Sequence, residues 1–191
     1  HPAAPLLPSA VARIVGAGLA GGVLLFALAP LSLQSRRRRK LPDVTLDYWR
    51  LAMASLIACV AVWLAAQFWP PWADNDAYPL LLGVLFIGGF AVSVVSGMLY
   101  KIVPFLAWFH LQAQLQARAG SIPTMKEMIA ERRMRWQFRL HLAASALLAA
   151  ATWWPQLGRA AGGVLALSAL LLWLNLLSAM RRYVSHGGRF S

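Results

Sequence analysis

Two histidines are the residues of this sequence best suited to hold haem or a metal ion. His110 and His141 lie at the ends of successive long apolar stretches, and haem and metal sites in helical bundles use histidines that point inward. If those stretches are neighbouring helices, the pair predicts a bis-histidine ligand site. A histidine at a helix end can equally hydrogen-bond free carbonyls or lipid headgroups, so both interpretations stay open.

Three further polar residues lie in the apolar stretches: Tyr100, Lys101 and Asn175. A charge inside a membrane span is costly and often functional, but a lysine near the boundary can extend its ammonium into the headgroup layer. We expect Lys101 to be such an anchor, with a proton or substrate role as the alternative for Lys101 and Tyr100. Asn175 is expected to hydrogen-bond across helices, a contact worth about 0.6–2 kcal/mol in membranes.

No acidic residue lies well inside these stretches, since all six lie in loops or at helix ends, and the chain has no nucleophile–base set and no Cys/His metal spacing. A proton- or sodium-coupled transporter normally requires an intramembrane acid. We therefore expect no complete active site and no enzymatic activity from this chain by itself. The single cysteine, Cys59, excludes an internal disulfide.

Composition and apolar run length assign the fold class. The 191 residues are 60% hydrophobic and 13% charged, whereas soluble domains carry about 25% charged residues. Apolar runs of about 20 residues are typical of membrane helices. The sequence predicts one all-α domain, 1–191, a polytopic transmembrane bundle of five spans: about 9–33, 46–69, 80–103, 136–154 and 160–180. An amphipathic helix on the cytoplasmic surface is expected over about 124–135.

The basic residues predict the orientation of this bundle. Of the 18 lysines and arginines, fifteen lie on one side of the predicted spans: thirteen in three loops or tails, and Arg50 and Arg139 at the adjoining span ends. Cytoplasmic segments collect Lys and Arg, so the N-terminus is expected outside and the C-terminus inside. The run 36–40, within the net charge of +12, is interpreted as part of this bias and not as a nucleic-acid site. The expected partners are the lipid bilayer and, at the basic inner face, anionic lipid.

Small residues indicate where helices pack closely. Gly18 and Gly22 lie four residues apart in the first span, and Gly89, Ser93 and Gly97 follow the same spacing in the third. Helices in lipid associate through such close backbone approach. The third span is therefore expected to be the packing centre.

The stretch Gly97-Met98-Leu99-Tyr100-Lys101-Ile102-Val103-Pro104, together with Glu131-Arg132-Arg133 and Trp136-Gln137-Phe138, resembles haem-copper oxidase subunit I and its uncharacterised relatives in bacterial inner membranes, often labelled permeases. The resemblance covers roughly residues 90–142. It implies a multi-pass protein of the bacterial inner membrane, with haem possible in the full-length protein. Because the haem and copper ligands of that family lie nearer the outer side, any ligands here are expected upstream of His1.

The chain begins with His1 and is expected to be the C-terminal part of a longer protein, packed against its remaining N-terminal helices. The preferred expectation is thus a haem-copper-oxidase-like membrane protein to which this part supplies helix packing. Two alternatives stay open. One is a permease-like transporter half with a path between the glycine-rich first and third spans, and the other is a membrane scaffold or assembly subunit.

Overall fold

The computed structural model describes residues 9–36, 43–114 and 124–188, and these residues form helices joined by short turns, with no strand among them. Most of the basic run 36–40, and the basic residues Arg118 and Arg189, lie outside the described residues. The helices are α1 (Ser9–Ser35), α2 (Val44–Phe68), α3 (Pro70–Ala73), α4 (Ala77–Gly83), a π-helical segment (Val84–Ala91), α5 (Val92–Gln114), α6 (Glu131–Ala151) and α7 (Gly158–Ser185). The continuous rod Ala77–Gln114 is called the central helix below.

Four of these helical segments are long and apolar enough to cross a membrane: Arg13–Ser35, Val44–Phe68, Ala77–Gln114 and Pro155–Ser185. The prediction of an all-helical, membrane-embedded protein is confirmed. The remaining predicted span coincides with α6, whose composition differs. Five charged residues fall within 131–139, which leaves only the 12 residues of 140–151 as its uncharged apolar part.

The described helices pack as a core of four with α1 on its outside. α2 lies between α1 and the central helix, and α5 packs against α7. A short 3₁₀ turn, Pro155–Leu157, joins α6 and α7 into a closely packed hairpin. In α1 only 6% of the apolar window is buried, against 33% in α2, so α1 is peripheral within this chain.

The central helix is longer than the predicted span 80–103. The predicted span ends just before Pro104, yet the helix continues through this buried proline to Gln114. Neighbouring helices can compensate for the hydrogen bond that proline removes in a membrane bundle. Here Ala107 and Leu111 pack on Tyr183 of α7 and extend the helix pair beyond the proline. At 1.5 Å per residue, 38 residues span about 57 Å, more than the roughly 40–45 Å of a whole bilayer.

The predicted amphipathic surface helix over 124–135 is wrong. A 3₁₀ turn occupies Met125–Glu127, and α6 begins only at Glu131. This turn is capped, since the Glu127 carboxylate accepts from the Thr124 backbone N–H at 2.7 Å. Met128 and Ile129, however, are 0% and 2% exposed and pack in the core. The segment closes one end of the bundle because these apolar side chains gain more burial there than on a surface.

Gly18 and Gly22 do not make the predicted helix contact with any of the described residues. Both are exposed, and a Cβ added at either would meet nothing within 4 Å. The face of α1 that meets α2 instead carries Gly16, whose added Cβ would lie 3.0 Å from the Trp63 ring, and the buried Ala20. Both faces of α1 carry small residues at four-residue spacing, so spacing alone could not identify the inward one.

Candidate functional site

Seven buried polar side chains come together from the four core helices, and we call them the buried polar cluster. They are Tyr48 of α2, Ser93 and Tyr100 of α5, Gln137 and His141 of α6, and Ser168 and Asn175 of α7. Each of them is at most 5% exposed. A polar group buried without a hydrogen bond is costly, so the partners of these groups determine how the helices can pack.

Gln137 connects three helices through its side-chain amide. Its Oε1 accepts a hydrogen bond from the Tyr48 hydroxyl. Its Nε2 donates to the Ser168 hydroxyl at 3.0 Å and lies 3.3 Å from the Ser168 carbonyl oxygen. One side chain thereby fixes the positions of α2 and α7 relative to α6.

A second hydrogen bond joins the central helix to α7. The Asn175 Nδ2 donates to the Tyr100 hydroxyl at 2.8 Å. The Tyr100 and Tyr48 rings lie 6.1 Å apart between centroids, so this pair is continuous with the contacts of Gln137. Asn175 therefore has a cross-helix partner, and the partner is Tyr100.

The two histidines predicted as ligands lie far apart. His141 is 1% exposed, its Nε2 is 2.8 Å from the Ser93 hydroxyl, and its ring centroid is 5.6 Å from that of Tyr48. His110 is exposed, and its Nδ1 donates to the Leu106 carbonyl at 2.8 Å. Because Ser93 and His110 are 17 residues apart on one helix, the two imidazoles are separated by roughly 25 Å.

The joint cofactor role predicted for His110 and His141 is therefore wrong, since one iron or metal ion cannot contact both. His110 instead contacts the backbone carbonyl of Leu106, one turn earlier in its own helix. Among the described residues no group of three or more His, Cys, Asp or Glu side chains could hold a metal ion.

Lys101 lies beside the buried face of the central helix and is not part of the buried polar cluster. The buried positions Gly97, Tyr100 and Pro104 share one face, whereas Lys101 is exposed. Its distance from Tyr78 near the other end of the helix is 23 residues, about 35 Å. This places the side chain near a membrane boundary, where an anchoring role stays a prediction.

The small residues of the central helix face α2 and α6. A Cβ added at Gly97 would lie 2.9 Å from the Tyr48 Cβ, and one added at Gly89 would lie 2.6 Å from the Ser55 Cβ. Ser93 between them contacts His141. The backbone of the central helix thus approaches α2 closely enough to place Tyr48 inside the cluster.

The same geometry bears on the transporter alternative. Gly89 and Gly97 face α2, while Gly18 and Gly22 are exposed on α1. The path expected between the glycine-rich first and third spans is therefore not formed by these glycines.

Sequence reasoning missed Tyr48, Gln137 and Ser168. Tyr48 and Gln137 lie close to charged residues at the starts of α2 and α6, which suggested boundary positions. A usable signal was present in α6, because Gln137 and His141 are four residues apart and share a face. Ser168 gave no such signal, since a serine is common in membrane helices.

The fold and the cluster define an all-helical, membrane-embedded bundle whose polar side chains hydrogen-bond across helices. Comparison with known proteins finds no matching protein-family model, no matching curated protein and no matching solved structure. The chemistry of the cluster follows from its own residues. It contains hydroxyls, two amides and one imidazole, all within hydrogen-bonding distance of another member, an arrangement that fixes helix positions.

Proposed function

We propose that this chain is the C-terminal part of a larger, haem-copper-oxidase-like integral membrane protein of a bacterial inner membrane, and that it supplies helix packing, not cofactor ligands. The observation that carries this proposal is that the polar groups of the cluster hydrogen-bond to one another across helices. His141, Gln137 and Asn175 bind other side chains of the bundle. Groups engaged in this way hold the helices of the bundle together.

The residues that carry the family resemblance support a structural role. Gly97, Tyr100 and Pro104 form one buried face of the central helix. Gln137 joins three helices, and the Phe138 ring packs edge-on against Tyr48 with centroids 4.8 Å apart. The resemblance thus rests in part on residues that build the core.

The exposed faces of α1 and α7 support the idea of a larger assembly. Ile14 and Leu25 of α1 are each 72% exposed, and Trp173 of α7 is 59% exposed. Lipid and the remaining N-terminal helices of the same protein are the proposed cover for these faces. The basic end of the bundle is proposed to contact anionic lipid.

We further propose five membrane crossings, with α6 as the fourth. Its Gln137 and His141 bond inside the bundle, and it packs along α7 as one arm of a hairpin. The charged start of α6 and the end of α7, with Arg181 and Arg182, then share the inner side. The N-terminus lies outside and the C-terminus inside.

The proposed topology predicts a labelling pattern for single cysteines in a Cys59→Ser background. Asp74→Cys is expected to react with a membrane-impermeant maleimide from outside, and Arg133→Cys only after the membrane is opened. Ala146→Cys, on the exposed face of α6, should resist labelling from either side because lipid covers it. Labelling of Arg133→Cys from outside, or of Ala146→Cys from water, would contradict five crossings.

The proposed packing role predicts that this chain does not bind haem with both histidines as its axial ligands. Purified protein comprising residues 1–191, mixed with haem, is expected to show no low-spin shift of the Soret band. The reason is the separation of roughly 25 Å between the two imidazoles. A stoichiometric shift that disappears in both His110→Ala and His141→Ala would refute this prediction.

A further inference from the structure

Arg139 is an exposed cation on α6, and its contacts point to a ligand outside the chain. Its guanidinium carbon lies 5.1 Å from the centroid of the Trp136 ring, and both residues are exposed. The ion pairs in the described parts of the chain join Arg50 to Asp47 and Arg135 to Glu131. Within those parts Arg139 therefore has no carboxylate partner.

An aromatic group at the opposite end of the bundle gives a reference level for the depth of Arg139. The Trp72 ring lies 6.2 Å from that of Trp153 and 6.1 Å from that of Tyr78, between centroids. Tryptophan and tyrosine concentrate at the membrane–water interface. We take these three rings as the outer boundary of the hydrocarbon layer in the proposed five-span topology.

Arg139 then lies inside the hydrocarbon layer. Arg139 is 14 residues from Trp153 along α6, which is about 21 Å. This distance is the greatest depth that the Arg139 backbone can have below the outer boundary, because any tilt of the helix reduces it. The hydrocarbon layer is about 30 Å thick, so the Arg139 backbone lies roughly 9 Å short of the inner boundary. Lys101, about 35 Å from Tyr78 on the same scale, is beyond that boundary.

The side chain of Arg139 is directed toward the inner headgroups. Side chains of a helix lean toward its N-terminus, which for α6 is the inner end, and the guanidinium lies over the ring of Trp136, one turn closer to that end. Trp136 itself is 17 residues, about 26 Å, from Trp153. The guanidinium thus stops a few ångströms below the boundary, exposed and within reach of a headgroup that moves inward.

We propose that Trp136 and Arg139 form a binding site for the phosphate of an anionic phospholipid in the inner leaflet. The bound phosphate is held closer to the membrane centre than the phosphates of the surrounding lipids. The proposal rests on the five-span topology proposed above. A phosphate suits the site because a guanidinium donates two parallel hydrogen bonds to its oxygens. The exposed Arg132 lies two turns closer to water on the same helix and adds the charge that favours an anionic over a zwitterionic lipid.

Native mass spectrometry of the full-length protein tests the site directly. Protein is taken from nanodiscs of phosphatidylcholine containing phosphatidylglycerol, and the phosphatidylglycerol retained per protein is counted. Arg139→Gln is expected to lower the retained phosphatidylglycerol at least threefold, while Arg139→Lys, which keeps the charge but loses the two-pronged geometry, should retain an intermediate amount. Arg159→Gln, at an exposed arginine at the other end of the bundle, is the matched control and should retain the wild-type amount.

Two outcomes would overturn the proposal. The first is unchanged retention of phosphatidylglycerol in Arg139→Gln, which is expected if a carboxylate of the remaining protein faces Arg139. The second is an equal loss in Arg159→Gln, which would mean that the basic residues attract the lipid unspecifically. The Ala146→Cys labelling separates these failures from a failure of the topology. If Ala146→Cys is protected but retention does not depend on Arg139, the site is refuted and the five crossings stand. If Ala146→Cys reacts from water, both are refuted.

Discussion

Gly97→Leu is expected to reduce the yield of folded protein by more than tenfold. Even a Cβ at this position would lie 2.9 Å from the Tyr48 Cβ and 3.5 Å from the Thr45 carbonyl oxygen. A leucine would force α2 away from the central helix. Overpacking a close contact typically costs about 1–3 kcal/mol and sometimes more, and here the displaced residue, Tyr48, is also a hydrogen-bond donor of the buried polar cluster.

Fluorescence-detected size-exclusion chromatography of a fluorescent fusion measures this yield. Gly83→Leu is the matched control, because Gly83 lies on the same central helix and a Cβ there would meet nothing within 4 Å. Gly97→Ala should fall between the two, since its methyl group also collides with the Tyr48 Cβ but is much smaller than a leucine side chain. Similar monodisperse yields for Gly97→Leu and Gly83→Leu would refute the close approach of α2 to the central helix.

Gln137→Leu is expected to lower the free energy of unfolding by about 1–3 kcal/mol, the usual cost of leaving buried polar partners without a hydrogen bond. The change removes the acceptor of the Tyr48 hydroxyl and the donor to Ser168 together. Tyr48→Phe in the Gln137→Leu background removes the hydroxyl left without an acceptor. The double variant should therefore be more stable than the sum of the two single effects implies.

Reversible unfolding in mixed micelles of mild detergent and dodecyl sulfate can measure these differences. Gln67→Leu provides the control, because Gln67 is an exposed glutamine of α2 and its replacement should change the stability little. Strict additivity of Tyr48→Phe and Gln137→Leu would show that their hydrogen bond contributes nothing measurable. A loss in Gln67→Leu as large as that in Gln137→Leu would also contradict the prediction.

The sequence by itself determined the class of the protein and the approximate positions of its helices. These properties depend on local composition. A run of about 20 apolar residues must satisfy its backbone hydrogen bonds internally and therefore forms a helix in lipid. The start of α2 is similarly local, because the Asp43 carboxylate accepts from the Thr45 backbone N–H at 2.9 Å. The helix ends Phe68 and Ser185 lie within a few residues of the predicted limits of their spans.

Only the tertiary structure decided which faces of these helices meet. In a soluble helix the apolar side is the inward side, but a membrane helix is apolar all round because lipid is as apolar as the core. Gly18 and Gly16 are therefore equivalent in sequence terms, and only the contact of Gly16 with Trp63 distinguishes them. The continuation of the central helix through Pro104 likewise became visible only with the structure, in which Ala107 and Leu111 pack against Tyr183 of α7.

The buried polar cluster likewise could not be predicted from the sequence. His110 and His141 look alike in the sequence, yet one is exposed and the other is buried against Ser93. In the sequence Gln137 is only an amide beside a charged segment. In the folded chain α2 and α7 place Tyr48 and Ser168 within hydrogen-bonding distance of it. Hydrogen-bond partners up to 89 residues apart are set by helix packing, and that packing is decided by non-local contacts that no local pattern encodes.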